Sequence, residues 1–262
     1  MITVGAICNI LEDFAPLCLQ ESYDNAGLII GNRNNVTTGV LIALDVTNEV
    51  LDEAIKLGYN MILTHHPLIF KGIKTINGKG NTETCLIKAI KNDLNIYAGH
   101  TNVDSVRGGV NEKMADKLTL LNRQILSPNL NSNMESGLGM IGELESALTE
   151  TEFLQKVKDT FHCQSIRHSR LSNRKIQKVA LCGGAGSNFL ETAQVSGADA
   201  FITGEAKYHE FFSLAQEILL VDAGHYETEQ FTKEVFFELL SKKLPTFALR
   251  ISATESNQVH YF

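Results

Sequence analysis

Three short stretches of this 262-residue chain carry residue types that could hold metal ions. His65 and His66 stand side by side in Thr64 to Phe70 (THHPLIF). His100 and Asp104 lie in Ala98 to Asp104 (AGHTNVD), and His225 and Glu229 in Gly224 to Glu229 (GHYETE). Imidazole and carboxylate suit zinc, manganese or iron, and no thiolate accompanies them. Four protein ligands complete one structural zinc site. Five or six, two of them carboxylates, exceed one tetrahedral ion and suit two ions bridged by a carboxylate and a water. Any one cluster alone reads more simply as solvated loop residues. The weight comes from three clusters falling at equivalent places.

Those places are the ends of strands. Gly39 to Asp45 (GVLIALD) reads as a strand, and Thr47 can cap a helix whose apolar face is Val50, Leu51, Ala54 and Ile55. Gly58 closes that helix, and Met61 to Thr64 is the next strand. This is a βαβ unit of a parallel or mixed sheet. A helix near Glu83 to Asp93 and a strand near Leu94 to Ala98 follow. Ile218 to Val221 is a strand ahead of His225. Parallel strands would bring these ends to one side of a sheet, where open α/β sheets bind ligands. Adjacent side chains on a strand point to opposite faces, so His65 and His66 can share one cleft only if the chain leaves the sheet there, as Pro67 requires.

The second half echoes the first. Leu190 to Thr203 (LETAQVSGADAFIT) matches Leu51 to Thr64 (LDEAIKLGYNMILT), and Asp222 to Glu229 (DAGHYETE) matches Tyr97 to Asp104 (YAGHTNVD), in the same order. Ordered self-similarity of this kind reads as an internal duplication. The fold class is therefore α/β, with two α/β domains. Residues 1–125 plus about 225–262 form the metal-binding domain, and 126–224 form the second. Asn122 to Ser136, rich in Asn and Ser, reads as the connector. The last helix, roughly Thr228 to Leu240, returns to the first half.

Other signals are weaker. Cys182 to Ser187 (CGGAGS) reads as a tight turn before a helix capped by Ser187, with phosphate binding as the alternative. Lys71 and Lys74 read as loop lysines that could hold an anion. Glu205 occupies the place in the second copy that His66 holds in the first, and reads equally as a supporting carboxylate or an exposed one. Tyr208 and His209 pack on a following helix. Asp24 and Asn25 form a turn before the strand Leu28 to Ile30.

Composition narrows the partners. A formal net charge of -7 disfavours nucleic acid, which needs clustered basic residues. The five basic residues between Arg167 and Lys178 read as a solvated loop. No apolar run approaches the ~20 residues of a membrane span, and no signal peptide is visible. Five scattered cysteines without a CxxC pair argue against a disulfide framework. A cytoplasmic location is expected.

Tyr23 to Leu28 (YDNAGL), THHPLIF, AGHTNVD, CGGAG, Thr203 to Glu205 (TGE) and GHYETE together resemble the GTP cyclohydrolase type 2 homologue family, the Nif-three-like dimetal proteins. The resemblance spans nearly the whole chain. It implies two intertwined α/β domains, a ring-shaped homohexamer, and two divalent metal ions in a cleft held by His65, His66, Asp104, His225 and Glu229, with His100 beside them. The family's first motif opens with Trp where this chain has Tyr23. Longer members carry a middle domain for which this chain has no room. Neither departure touches the ligands.

Two functions follow as expectations. The first is a metal-dependent hydrolase acting on a nucleotide or phosphate compound, with His100 as general acid or base; the family name points to hydrolytic opening of the guanine ring of GTP. The second is non-catalytic metal binding, metal delivery or a ring-shaped scaffold.

Overall fold

The computed structural model describes residues 1–213, 217–255 and 257–262. Along the chain the elements run α1 (Val4–Phe14), β1 (Gly27–Ile30), β2 (Val40–Ala43), α2 (Asn48–Leu57), β3 (Met61–Thr64), α3 (Asn81–Lys91), β4 (Asn95–Ala98), α4 (Thr101–Ser105) and α5 (Val110–Lys117). They continue with β5 (Leu121–Pro128), β6 (Gly137–Thr149), α6 (Glu150–Phe161), β7 (Arg167–His168), β8 (Lys175–Cys182), α7 (Leu190–Val195) and β9 (Ala200–Thr203). The remainder is α8 (Glu210–Ser213), β10 (Leu219–Asp222), α9 (His225–Glu229), α10 (Thr232–Lys243) and β11 (Leu249–Ile251). The chain divides into two compact units, Met1–Val103 with Thr232–Gln258, and Asp104–Phe231 with Val259–Phe262.

The first unit holds a five-stranded sheet in the order β1-β4-β3-β2-β11. β11, β2, β3 and β4 are parallel, and β1 closes the edge antiparallel to β4. Every residue of β2, β3 and β4 is buried. Strands buried on both faces are mostly apolar, with Asn95 and Thr64 the hydrogen-bonded exceptions, which makes these short runs legible. α2 forms where expected. Thr47 Oγ accepts from Val50 N at 3.3 Å, and Gly58 closes the helix at φ 71°, a left-handed conformation that glycine adopts without a Cβ penalty. Val50, Leu51 and Ala54 pack with Leu41, Ile62, Cys85, Ala89 and Ile96. Ile55, expected on the apolar face, is exposed instead. α10 belongs to this unit.

The second unit holds a six-stranded mixed sheet, β5-β6-β8-β9-β10-β7, in which β8, β9 and β10 are parallel. Its two faces are read off alternate residues of β8. Val179 and Leu181 pack with Phe153, Phe161, Ile202 and Val221, whereas Ala180 and Cys182 pack with Phe201, Leu220 and Leu190. The helix α7, a left-handed Gly197 and β9 repeat the local pattern of α2, Gly58 and β3.

Three expectations are corrected. Asn122 to Ser136 is not simply a connector: its first part lies in β5, paired antiparallel to the 13-residue β6. β5 is a largely exposed edge strand, so its polar composition mimics a loop. The basic stretch 167–178 is not a loop throughout; it contains β7 and the start of β8, and Arg167 and Arg174 pair with Asp222 and Glu150. The strands ahead of His65, His100 and His225 do not share one sheet, because β10 pairs with β9 and β7 rather than with β2–β4.

Among the described residues no helix is long and apolar enough to cross a membrane. Replacing Thr47 with Ala removes the cap acceptor of α2 and should lower unfolding stability by about 1 kcal/mol, measured by urea denaturation at an unchanged m-value.

Candidate metal centre

In the first unit, the site begins where β3 ends. Thr64 Oγ donates to the carbonyl of His66 at 2.9 Å, and His66 N donates to the carbonyl of Leu44 at 3.0 Å. This turn breaks the alternation of the strand, and the two imidazoles lie with centroids 5.0 Å apart. His65 is fully buried and its Nδ1 donates to the carbonyl of Gly99 at 2.8 Å. A carbonyl can only accept, so the His65 proton sits on Nδ1. His66 Nδ1 lies 2.8 Å from Asp45 Oδ1. Both acceptors come from parallel neighbours of β3, since Asp45 follows β2 and Gly99 follows β4.

His100 joins this pair. Its ring centroid lies 5.2 Å from His65 and 5.6 Å from His66. One ring nitrogen of each of the three lies within 4.8 Å of the others. Phe70 meets the His100 ring edge-on at 5.9 Å and Tyr23 at 6.3 Å. His100 Nδ1 is 2.7 Å from Asp24 Oδ1. β1 is antiparallel to β4, with Gly27 opposite Ala98, so the entry to β1 lies beside the exit from β4.

Asp24 was read as a turn residue; the structure gives it more to do. Its side chain is wholly buried, and it also accepts from Asn25 N at 2.7 Å, Thr101 N at 3.0 Å and Thr101 Oγ. Burial pushes its carboxyl up, but the hydrogen bonds from His100 and Thr101 outweigh it and hold the pKa down at about 2. No spacing rule ties residue 24 to residue 100, so only the fold reveals the pair.

In the second unit, β10 leads through Gly224 into α9, which starts at His225. One turn later Glu229, nearly buried, places Oε2 at 2.9 Å from His225 Nε2. His225 Nδ1 lies 2.9 Å from Glu205 Oε1. Glu205 follows β9, the parallel neighbour of β10, and is both exposed and in contact with the His225 ring. Asp104 is half-buried; its backbone carbonyl accepts from Asn111 Nδ2 at 3.1 Å, and Asn111 Oδ1 accepts from Gly183 N at 2.9 Å.

The glycine-rich turn is structural. Gly184 N donates to Thr228 Oγ1 and Gly186 N to Thr203 Oγ1, both at 3.1 Å, so with Gly183 these N–H groups are spent inside the unit rather than on a phosphate. Gly184 has φ +58°, and a Cβ there would stand 2.1 Å from Glu229 Oε1 and 3.3 Å from His225 Nε2. Glycine is required for the carboxylate to sit where it does. Ser187 lies within a 3-10 turn and its hydroxyl donates to Glu210, so it does not cap α7. Burial, then the charges of Asp104 and Glu229, push the Cys182 thiol up, keeping it protonated and a poor ligand.

Of the remaining candidates, Lys71 and Lys74 are exposed and line, with Pro67, Phe70 and Ile73, a cavity of about 560 Å³ formed by the segment after His66 and the start of α3. Tyr208 and His209 stack with Phe212 of α8 rather than on any of the imidazoles above. The imidazoles of His65, His66 and His100 lie close enough together to hold a metal ion. Four imidazoles each have Nδ1 engaged by an oxygen, the arrangement that orients metal-binding histidines. Replacing Gly184 with Ala should push the Glu229 carboxylate aside and strain the turn, seen as a lower melting temperature and weaker zinc uptake by calorimetry; wild-type zinc affinity in a folded variant contradicts this account.

Comparison with known proteins identifies the family and the fold. The family model for Duf34/NIF3 (NGG1p interacting factor 3) matches residues 2–259. A Clostridium acetobutylicum protein named GTP cyclohydrolase 1 type 2 homolog is 39% identical over 229 residues, covering 87% of this chain and 85% of its own length. A Lactococcus lactis protein of the same name is 32% identical over 252 residues, covering 94% and 93%. Among solved structures, a Bacillus cereus protein related to NIF3 matches with a TM-score of 0.91 at 27% identity, covering 99% of both chains. A hypothetical protein of Staphylococcus aureus matches with a TM-score of 0.92 at 28% identity, covering 100% of this chain and 99% of that one. The chain belongs to the Duf34/NIF3 family.

Proposed function

We propose that the protein is a metal-dependent hydrolase in which His65, His66, Asp104, His225 and Glu229 are the protein ligands of two divalent ions and His100 is the general acid or base. The observation that carries this reading is the shared anchoring of the imidazoles. His65, His66 and His225 have Nδ1 held by Gly99, Asp45 and Glu205, which leaves Nε2 as the nitrogen that would bind a metal. When bound, the ions supply an activated water and compensate charge that develops on the substrate.

The chain's own residues do the rest. The backbone turn at Thr64 keeps the two adjacent imidazoles together. Gly184 leaves room for the Glu229 carboxylate. His100 stands against His65 and His66, within reach of a proton that moves between water and a leaving group. The substrate class we infer is a nucleotide or related phosphate compound. It is supported by the printed name of the relatives, GTP cyclohydrolase 1 type 2 homolog, and by the cavity after His66 with Lys71 and Lys74 on its wall. Opening the guanine ring of GTP is the specific reaction to try first. The five free cysteines suit a reducing cytoplasm, where we place the protein. Assembly as a ring-shaped homohexamer belongs to this reading on family resemblance.

Elemental analysis should find about two ions per chain. The double variant His65→Ala/His66→Ala should keep the circular-dichroism spectrum and lose the metal; unchanged metal content sinks the ligand assignment. Two ions with no turnover in a screen of nucleotides and phosphoesters would move the protein to the metal-binding or scaffold reading. Light scattering should give the mass of six chains, and a monomer mass overturns the ring.

A further inference from the structure

We propose that Asp24 is the positioning residue of His100: its buried carboxylate holds the ring proton on Nδ1 and so makes Nε2 the basic nitrogen beside His65 and His66. The two residues are 76 positions apart, and β1 running antiparallel to β4 brings them together.

A neutral imidazole has two tautomers, and only one leaves a lone pair on Nε2. Ionised Asp24 has no proton to donate, so any hydrogen bond to His100 must use the Nδ1 proton. The hydrogen bonds that hold its carboxyl down at about 2 keep it ionised far below neutral pH. Phe70 meets the ring edge-on and the rings of His65 and His66 lie beside it.

A purely structural role falls short of this geometry. Oδ2 alone serves the start of α4, accepting from Thr101 N and Thr101 Oγ. A helix cap needs one oxygen acceptor, which Ser, Thr or Asn supplies as well. Asp24 uses its second oxygen, at 2.7 Å, on the imidazole.

The proton balance is closed. Nε2 takes a proton from the attacking water, and the imidazolium is stabilised by the Asp24 carboxylate, which keeps its charge. Nε2 then returns the proton to the leaving group. This last step rests on the hydrolase reading; the tautomer assignment does not.

The test is ¹⁵N spectroscopy of the imidazole side chains in the full-length protein, as purified and after zinc loading. Wild type should show a protonated Nδ1 and an unprotonated Nε2 at His100; a protonated Nε2 overturns the proposal. Asp24→Asn keeps an oxygen for Thr101 N but presents an amide donor to His100 Nδ1, so the tautomer should invert while the fold and zinc content persist. An unchanged tautomer in that variant also overturns it. On any substrate the wild type turns over, Asp24→Asn should lower kcat by roughly 10²–10⁴-fold with KM little changed. Lost zinc binding with kcat per bound zinc unchanged would instead make Asp24 structural. If wild type turns over nothing, the hydrolase reading fails, and the spectra alone decide the role of Asp24.

Discussion

An imidazole can offer one nitrogen to a metal or a proton only if something holds the other. In this protein that something is an oxygen at each of the four site histidines. Gly99 holds His65, Asp45 holds His66, Asp24 holds His100 and Glu205 holds His225. A ring left to rotate would lose both its direction and its tautomer, so within each unit these contacts fix which nitrogen a ring can offer.

Sheet topology explains where the oxygens come from. Asp45 and Gly99 follow the strands that flank β3 in parallel, and Glu205 follows β9, the parallel neighbour of β10. Parallel strands deliver their carboxyl ends to the same edge, so histidine and support arrive together. Asp24 is the exception that obeys the same logic. It precedes β1, and an antiparallel strand brings its entry to the edge where its neighbours exit.

The close approach of backbone to carboxylate sets a second constraint. Gly183 and Gly184 form a turn whose N–H groups bond to Asn111 and Thr228, and that leaves no room for a side chain beside Glu229. A glycine-rich turn before a helix suggests phosphate by composition alone. Here the same composition makes room for the Glu229 carboxylate, because the turn packs against α9.

Much of this was legible from residue order. Buried parallel strands are predominantly apolar, so β2, β3, β4 and β10 stand out, and caps such as Thr47 and Gly58 mark α2. The same runs pointed at His65, His66, His100 and His225 by ending just before them. The exposed edge strand β5 was hidden, since a strand with one row of partners and a wet face needs no apolar pattern. What residue order determined by itself was local: which elements form, and which donor types stand at their ends. What only the tertiary structure decided was pairing at a distance: that β10 joins a sheet separate from β2–β4, that Glu205 supports His225, and that Asp24 rather than a nearer carboxylate holds His100. Local propensity acts over a few residues, whereas strand order is chosen by burial of the whole sheet, and that choice leaves no mark at positions 24 and 100 taken singly.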